Sequence, residues 1–237
     1  MIDADSDIRQ VVRILGGTTF LGALSGHALD TIVRRGHIRT FPRATVIYRR
    51  GEHGNSLMVV LSGRIKISNV SPEGREVVLN FLRAGDLSGE IAVLDGKERT
   101  ADAVALEETR ALVISARDLL PVLISNPNAL LNITVTLCEK LRAISAVVED
   151  SMREMRARAA SGLLRLVQRH GTVSKEGIRL DLALSQQDLG NYLGISRENV
   201  SRQLSQLKFA NVVDVEEGHI VITDKDGLEE IAAEPID

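Results

Sequence analysis

The sequence predicts an α+β protein built from an N-terminal antiparallel β-roll, a long helix and a C-terminal winged helix-turn-helix. Three textures along the 237 residues carry that expectation. From about Ile38 to Ile114, short apolar runs such as "LMVVLSGRIKIS" and "TRALVISARD" alternate with glycine and charged turns. Runs of that length with regular turn signals read as strands closing into a roll or barrel. Then apolar or small residues recur in steps of four and three from 130 to 155, the period of a helical seam. Past Ala157 the order becomes helix, strand, helix, turn, helix, hairpin, the layout of a winged helix-turn-helix. The expected division is a β-roll over 1–125, a dimerisation helix and hinge over 126–157, and a winged domain over 158–237.

Within the first region Gly51, Gly63, Gly74, Gly85 and Gly89 punctuate the strands. "SPEG" at 71–74 suits a hairpin tip, with Pro72 presetting φ and Gly74 free to take a positive one. The seam residues are Leu130, Thr134, Leu137, Leu141, Ile144, Val148, Ser151 and Met155. A helix lying on its own domain gives a similar pattern, but a narrow seam over more than three heptads favours pairing with a second copy. Cys138 reads as a small filler on this helix.

In the last region "AASGLLRLVQRH" has helical spacing and stops at Gly171, and "IRLDLAL" alternates like a strand. Ser185 caps one helix and Gly194 permits a sharp turn, with Ile195 between the crossing helices. Ser196 caps a second helix whose inward face is Val200, Leu204 and Leu207. Arg197, Glu198, Ser201 and Arg202 crowd its outward first turns, where arginine suits guanine and a carboxylate suits cytosine. Arg153, Arg156, Arg158, Arg165 and Arg169 near the hinge are read either as phosphate contacts or as solvated surface.

Composition sets the frame. Hydrophobic residues make up 44% and charged residues 26%, with a formal charge of −3; from Ser151 onward there are 11 basic and 14 acidic residues. DNA binding must therefore come from a local patch and not the average. The acidic N-terminus lacks a signal-peptide layout, no run is long enough to span a bilayer, and a single cysteine suits a reducing interior. A cytoplasmic location is expected. One cysteine cannot ligate an iron–sulfur cluster and the five histidines are scattered, so no metal is expected. No nucleophile–base pair is evident, and an enzyme is not expected.

The stretch "GEIAVLDGKERTA" places a carboxylate, an arginine and a hydroxyl around a glycine-marked turn. Arg99 offers a planar donor fork to a phosphate, Thr100 a hydroxyl, and a helical turn over Glu90, Ile91, Ala92 and Val93 its N–H groups. Glu90 adds a carboxylate acceptor beside it, and Gly89 lets backbone approach closely. An NTPase phosphate loop does not fit: six residues separate Gly89 from Gly96-Lys97, where that motif has four.

"SRENVSR" after "LSQQDLGNYLGI", with "GREVVLNFLRAGDLSGE" and the long helix, is similar to the CRP/FNR family of bacterial transcription regulators. The resemblance covers nearly the whole chain and implies a cyclic nucleotide effector and double-stranded, palindromic DNA. It gives Glu198 and Arg202 base-reading roles and Arg197 a base or phosphate contact. The implied DNA-binding set is Ser185, Gln186, Ser196, Arg197, Glu198, Asn199, Ser201 and Arg202. Serine at 201 is more typical of the FNR-like branch, which leaves the half-site open. The implied ligand set is Gly89, Glu90, Ile91, Ala92, Arg99, Thr100, Lys140, Ile144 and Ser145, the last two standing where cyclic-AMP-responsive members contact adenine. Cyclic AMP is the default, with cyclic GMP or no nucleotide control as alternatives. The resemblance also implies a homodimer and RNA polymerase as a partner. A nucleotide-binding signalling module acting through protein contacts is the rival reading.

Overall fold

A computed structural model describes residues 11–18, 21–216 and 218–234. The N-terminal stretch 1–10 read above, and Glu217 within the expected C-terminal hairpin, lie outside the described residues. The chain divides into two compact units, Met1–Leu141 and Arg142–Asp237.

In the first unit two four-stranded antiparallel sheets face each other. One runs β1 (His37–Phe41), β8 (Thr109–Ser115), β3 (Ser56–Ser62) and β6 (Leu87–Ser88); the other runs β2 (Val46–Tyr48), β7 (Asp102–Ala105), β4 (Ile65–Val70) and β5 (Glu76–Leu82). Strand β3 shows why the apolar runs are continuous: both its faces are covered. Met58 and Val60 point between the sheets with Phe41, Ile65, Leu82 and Ala103. Leu57, Val59 and Leu61 point outward onto helices, through Leu29, Ile32, Leu119, Leu123 and Ile133. Those helices are Gly26–Arg35, capped by Ser25, and Ala116–Ile124, capped by Ser115. The sequence reading assigned nothing to the first of them, nor to the helical residues 11–16.

The expected hairpin tip is present, with the Gly74 N–H donating to Ser71 O (2.9 Å) and the Ser71 N–H to Arg75 O (2.8 Å).

The long helix spans Pro127–Ser151. Ala129 and Ile133 are buried against the β-roll core and Leu137 is partly buried there, one helical face at i, i+4, i+8. A neighbouring face leaves Leu141, Ile144 and Val148 more than half exposed. The expected seam is therefore corrected in two respects. Leu137 faces its own domain, and Met155 belongs to a second helix, Met155–His170. Cys138 is exposed and fills no core.

The break has a visible cause in the second unit. The Met152 and Arg153 N–H groups turn back to Glu149 O and Asp150 O, tightening the last turn. The Arg158 guanidinium then collects the carbonyls of Asp150 (3.1 Å), Ser151 (2.7 Å) and Arg153 (3.1 Å).

The helix Met155–His170 buries Ala157, Ala160, Leu163 and Leu166. A four-stranded sheet follows in the order β11 (Val213–Glu216), β12 (His219–Ile222), β10 (Ile178–Leu180), β9 (Gly171–Val173). Gly171 caps the preceding helix as expected and also opens β9, which the sequence reading missed; the "IRLDLAL" strand shrinks to Ile178–Leu180. A final helix, Lys225–Ala232, was also not anticipated; Asp224 caps it by accepting from the Gly227 N–H at 3.0 Å.

Candidate ligand cassette and nucleic-acid interface

The cassette is built where β6 runs into a short helix. Leu87–Ser88 ends the strand, and Gly89 at φ 87° turns the chain into helix Glu90–Asp95. A side chain is excluded at Gly89 on two counts: the left-handed conformation, and a Cβ that would sit 2.2 Å from Arg99 Nη1. Gly54, which the sequence reading did not single out, is constrained by space alone, because its Cβ would lie 2.2 Å from that of Ala92. Its only sequence signal is a second glycine in "GEHGNS".

Arg99 lies across this corner, 8% exposed. Its Nη1 donates to Gly89 O at 3.0 Å, and its Nη2 to Ser56 O at 2.7 Å and Ser56 Oγ at 3.2 Å. The backbone of Arg99 is fixed as well: its N–H donates to Glu52 O (2.8 Å) and its carbonyl accepts from Gly51 (2.9 Å). Its guanidinium carbon stands 4.5 Å from the centre of the Tyr48 ring. Among the described residues no carboxylate pairs with it. A buried cation satisfied only by dipoles is a costly arrangement, and it supplies positive charge to whatever anion approaches.

Glu90 is buried and pairs with Lys140 Nζ at 2.7 Å, so those two predicted ligand residues are brought together. Ala92 is buried as the floor of the corner, Ile91 is 38% exposed, and Thr100 is exposed beside Arg99. Ile144 and Ser145 are exposed on the long helix and belong to the other unit. A cavity of about 190 Å³ opens beside Arg99 over Phe41, Ile47, Met58 and Val113, touching neither Gly89 nor Glu90. It falls below the roughly 300 Å³ at which small-molecule sites begin, so it is not by itself a nucleotide site.

In the second unit, Ser185 accepts from the Asp188 N–H (3.0 Å) and caps helix Gln186–Leu193, which ends at Gly194 with φ 67°. Gly190 lets the two helices of the motif cross, since a Cβ there would lie 2.8 Å from Ile195 O. Ser196 accepts from the Asn199 N–H (3.3 Å) and caps the recognition helix Arg197–Phe209. Arg197, Glu198, Ser201 and Arg202 are all exposed, as expected. The structure links them to two further predicted residues: Ser201 Oγ lies 3.1 Å from Gln186 Oε1, and Arg202 Nη2 donates to Asn199 Oδ1 at 2.8 Å. Its own backbone N–H, then the Ser196 hydroxyl, hold the Glu198 carboxyl below the usual range, so it stays an acceptor. The inward face needs correction. Gln203 is buried with Val200 and Leu207, while Leu204 is only half-buried.

Four of the five hinge arginines are tied within the second unit, while Arg169 is exposed. Arg158 caps the long helix and reaches Gly194 O at 3.3 Å, and Arg165 pairs with the buried Asp150. Arg153 donates to Ala232 O (2.6 Å), and Arg156 lies 3.6 Å from Glu234. They are internal ties of the second unit, which residue type and spacing alone do not disclose.

Comparisons with known proteins divide the chain in the same way. Residues 38–126 match the cyclic nucleotide-binding domain and residues 157–231 the Crp-like helix-turn-helix domain. The class is thus a DNA-binding regulator with a nucleotide-type sensor domain. The chain is 30% identical over 217 residues to the cyclic AMP receptor protein of Thermus thermophilus, covering 91% of this chain and 97% of that protein. It is 29% identical over 189 residues to the CRP-like cAMP-activated global transcriptional regulator of Mycobacterium tuberculosis, covering 79% and 84%. In fold it is similar to the c-di-GMP responsive global regulator CLP of Xanthomonas campestris, with a TM-score of 0.71 at 22% identity over 84% of this chain and 99% of that one. The chain belongs to the CRP/FNR family of transcription regulators.

Proposed function

We propose that this regulator is a homodimer gated by a purine cyclic mononucleotide, with cyclic AMP the first ligand to test and cyclic GMP the second. The observation that carries this is Arg99: a guanidinium 8% exposed, with no carboxylate partner among the described residues, at the N-terminal corner of the cassette helix. The cyclic phosphate is the anion of that site. Arg99 and the Thr100 hydroxyl contact it, Gly89 to Ala92 supply backbone, and the Glu90–Lys140 pair opens to receive the ribose 2′-hydroxyl. Ile144 and Ser145 meet the base, and their exposure on the long helix suits a role completed by the second subunit. The exposed row Leu141, Ile144 and Val148 supports pairing through that helix.

The ligand biases two arrangements of the dimer by its differential affinity for them. In the active arrangement the two recognition helices stand about 34 Å apart and meet successive major grooves of a palindromic operator. Glu198 and Arg202 read bases, Arg197 contacts a base or phosphate, and the two cap serines with Gln186, Asn199 and Ser201 support that face. RNA polymerase is the partner and the cytoplasm the location that this role requires. Similarity in fold to a protein described as c-di-GMP responsive keeps a different effector as the second reading.

The test is calorimetric titration of the purified protein with cyclic AMP and cyclic GMP beside Arg99→Ala. Two charge-assisted hydrogen bonds are worth about 1.5–3 kcal/mol each, so the variant should bind at least about 100-fold more weakly. Wild-type protein that takes neither nucleotide sinks the reading; equal affinity in wild type and variant removes Arg99 from the site.

A further inference from the structure

The cassette arginine is held by an element that lies far from the cassette motif in sequence. Tyr48, on β2, stacks under the Arg99 guanidinium with 4.5 Å from guanidinium carbon to ring centre. Its hydroxyl shares a 2.5 Å hydrogen bond with Ser88 Oγ, and Ser88 immediately precedes the Gly89 corner. We propose that Tyr48 is a positioning residue for nucleotide binding: its ring is the platform that fixes the plane of the Arg99 guanidinium, and Ser88 locks that ring to the start of the cassette. The proposal rests on the nucleotide reading above.

The geometry separates this role from ordinary core filling. A guanidinium on a flexible three-carbon stem has one plane to set, and the contacts here set it three ways. Gly89 O and Ser56 O fix two points along its edge, and the ring face fixes the third direction. The three hydrogen bonds engage only its terminal nitrogens, out of five donors on the group. A cation over an aromatic face is held most strongly when water is excluded, and Arg99 is nine-tenths buried. The phenol satisfies its own polar end through Ser88, as a buried tyrosine must. Burial pushes the Tyr48 hydroxyl up from its ordinary range, against the pull of Ser88 and Arg99, so the ring stays neutral around pH 7 and the platform does not change charge with the ligand. Removing it leaves Arg99 in place and charged but free to swing, so the phosphate must then order the side chain on binding.

The experiment is calorimetry with cyclic AMP and cyclic GMP on the full chain, comparing wild type, Tyr48→Phe, Tyr48→Leu, Ser88→Ala, Arg99→Lys and the double variant Tyr48→Leu/Arg99→Lys. Loss of the ring should weaken binding about 3- to 30-fold, the span from an exposed to a desolvated cation–π contact. Tyr48→Phe and Ser88→Ala each keep the ring face and break the same hydrogen bond, so both should weaken binding by a similar amount of up to about 3-fold. In the Arg99→Lys background, where no planar group remains to be oriented, Tyr48→Leu should cost less than about 2-fold. A merely structural tyrosine would cost the same in both backgrounds, and that result overturns the proposal. So does Tyr48→Leu binding like wild type, or Tyr48→Phe binding as poorly as Tyr48→Leu. Should Tyr48→Leu not fold, the Ser88→Ala effect measured in both Arg99 backgrounds decides by the same rule. Wild-type protein that binds neither nucleotide overturns the nucleotide reading and this proposal together, whereas wild-type binding with an unaffected Tyr48→Leu overturns this proposal alone.

Discussion

Arg99 in the cassette and Arg202 on the recognition helix both face a phosphorylated ligand in the proposed function, yet the protein holds them in opposite ways. Arg99 is buried, stacked on a ring and tied to two backbone carbonyls. Arg202 is exposed, and the Asn199 amide holds it at 2.8 Å. The first is preorganised in a dry corner for one small anion. The second remains hydrated and adaptable, suited to a groove whose contacts are many and shared. Preorganisation lowers the ordering cost of a small ligand, while a DNA interface draws on released counterions across a broad patch.

The largest expected divergence is in salt dependence. A dimer making about 6–10 phosphate contacts loses roughly 10³- to 10⁵-fold in DNA affinity between 50 and 200 mM salt. The buried cassette is screened far less, so nucleotide affinity over the same range should move by only about 3-fold. Fluorescence anisotropy on operator DNA and calorimetry on the nucleotide, in matched buffers, measure both slopes. Parallel slopes would mean that Arg99 meets its ligand in open water, against its burial.

A smaller contrast separates affinity from stability. Arg202→Ala should weaken specific DNA binding by about 1–3 kcal/mol, the worth of one bidentate base contact, and leave the melting temperature unchanged because the side chain is exposed. Gly89→Ala should do the reverse to its own unit. It forces a Cβ into a left-handed position against Arg99 Nη1, at a cost of about 1–2 kcal/mol from conformation alone. It should also displace the guanidinium and lower nucleotide affinity. Thermal melts beside both binding assays test the pairing; an Arg202→Ala protein that melts early would show that the interface is also structural.

The same contrast marks what the sequence discloses. The glycines read as strand punctuation, 51, 63, 74, 85 and 89, all adopt positive φ, because that backbone geometry selects a residue type directly. The caps Ser185 and Ser196 are equally local and equally legible. Tyr48 and Ser56 were not, since the contacts that hold Arg99 are closed by β pairing across 51 and 43 residues of chain. The long helix falls between: its period showed in the sequence, but a period does not say which apolar stripe meets the β-roll and which stays open. Leu137 went to the first and Leu141 to the second. Gln203 took the inward place expected of Leu204 because Val200, Gln203 and Leu207 stand at i, i+3 and i+7 on one helical face, whatever their polarity.

The smallest expected effect again concerns the stack. With the Tyr48 pKa raised above its ordinary value of 10.0 by burial, the fold favours the neutral phenol. The corresponding stability is complete below pH 10 and is lost as pH rises from there through the elevated folded value. The Ser88 hydrogen bond and Arg99 beside the ring pull against burial, while Glu90 and Asp102 add to it. Urea unfolding of the first unit at pH 8, 9.5 and 10.5 should show wild type losing more stability than Tyr48→Phe over the upper interval. Phenylalanine keeps the platform but cannot ionise, so identical losses in the two proteins would place the Tyr48 hydroxyl in contact with water and weaken the case that Ser88 locks the ring.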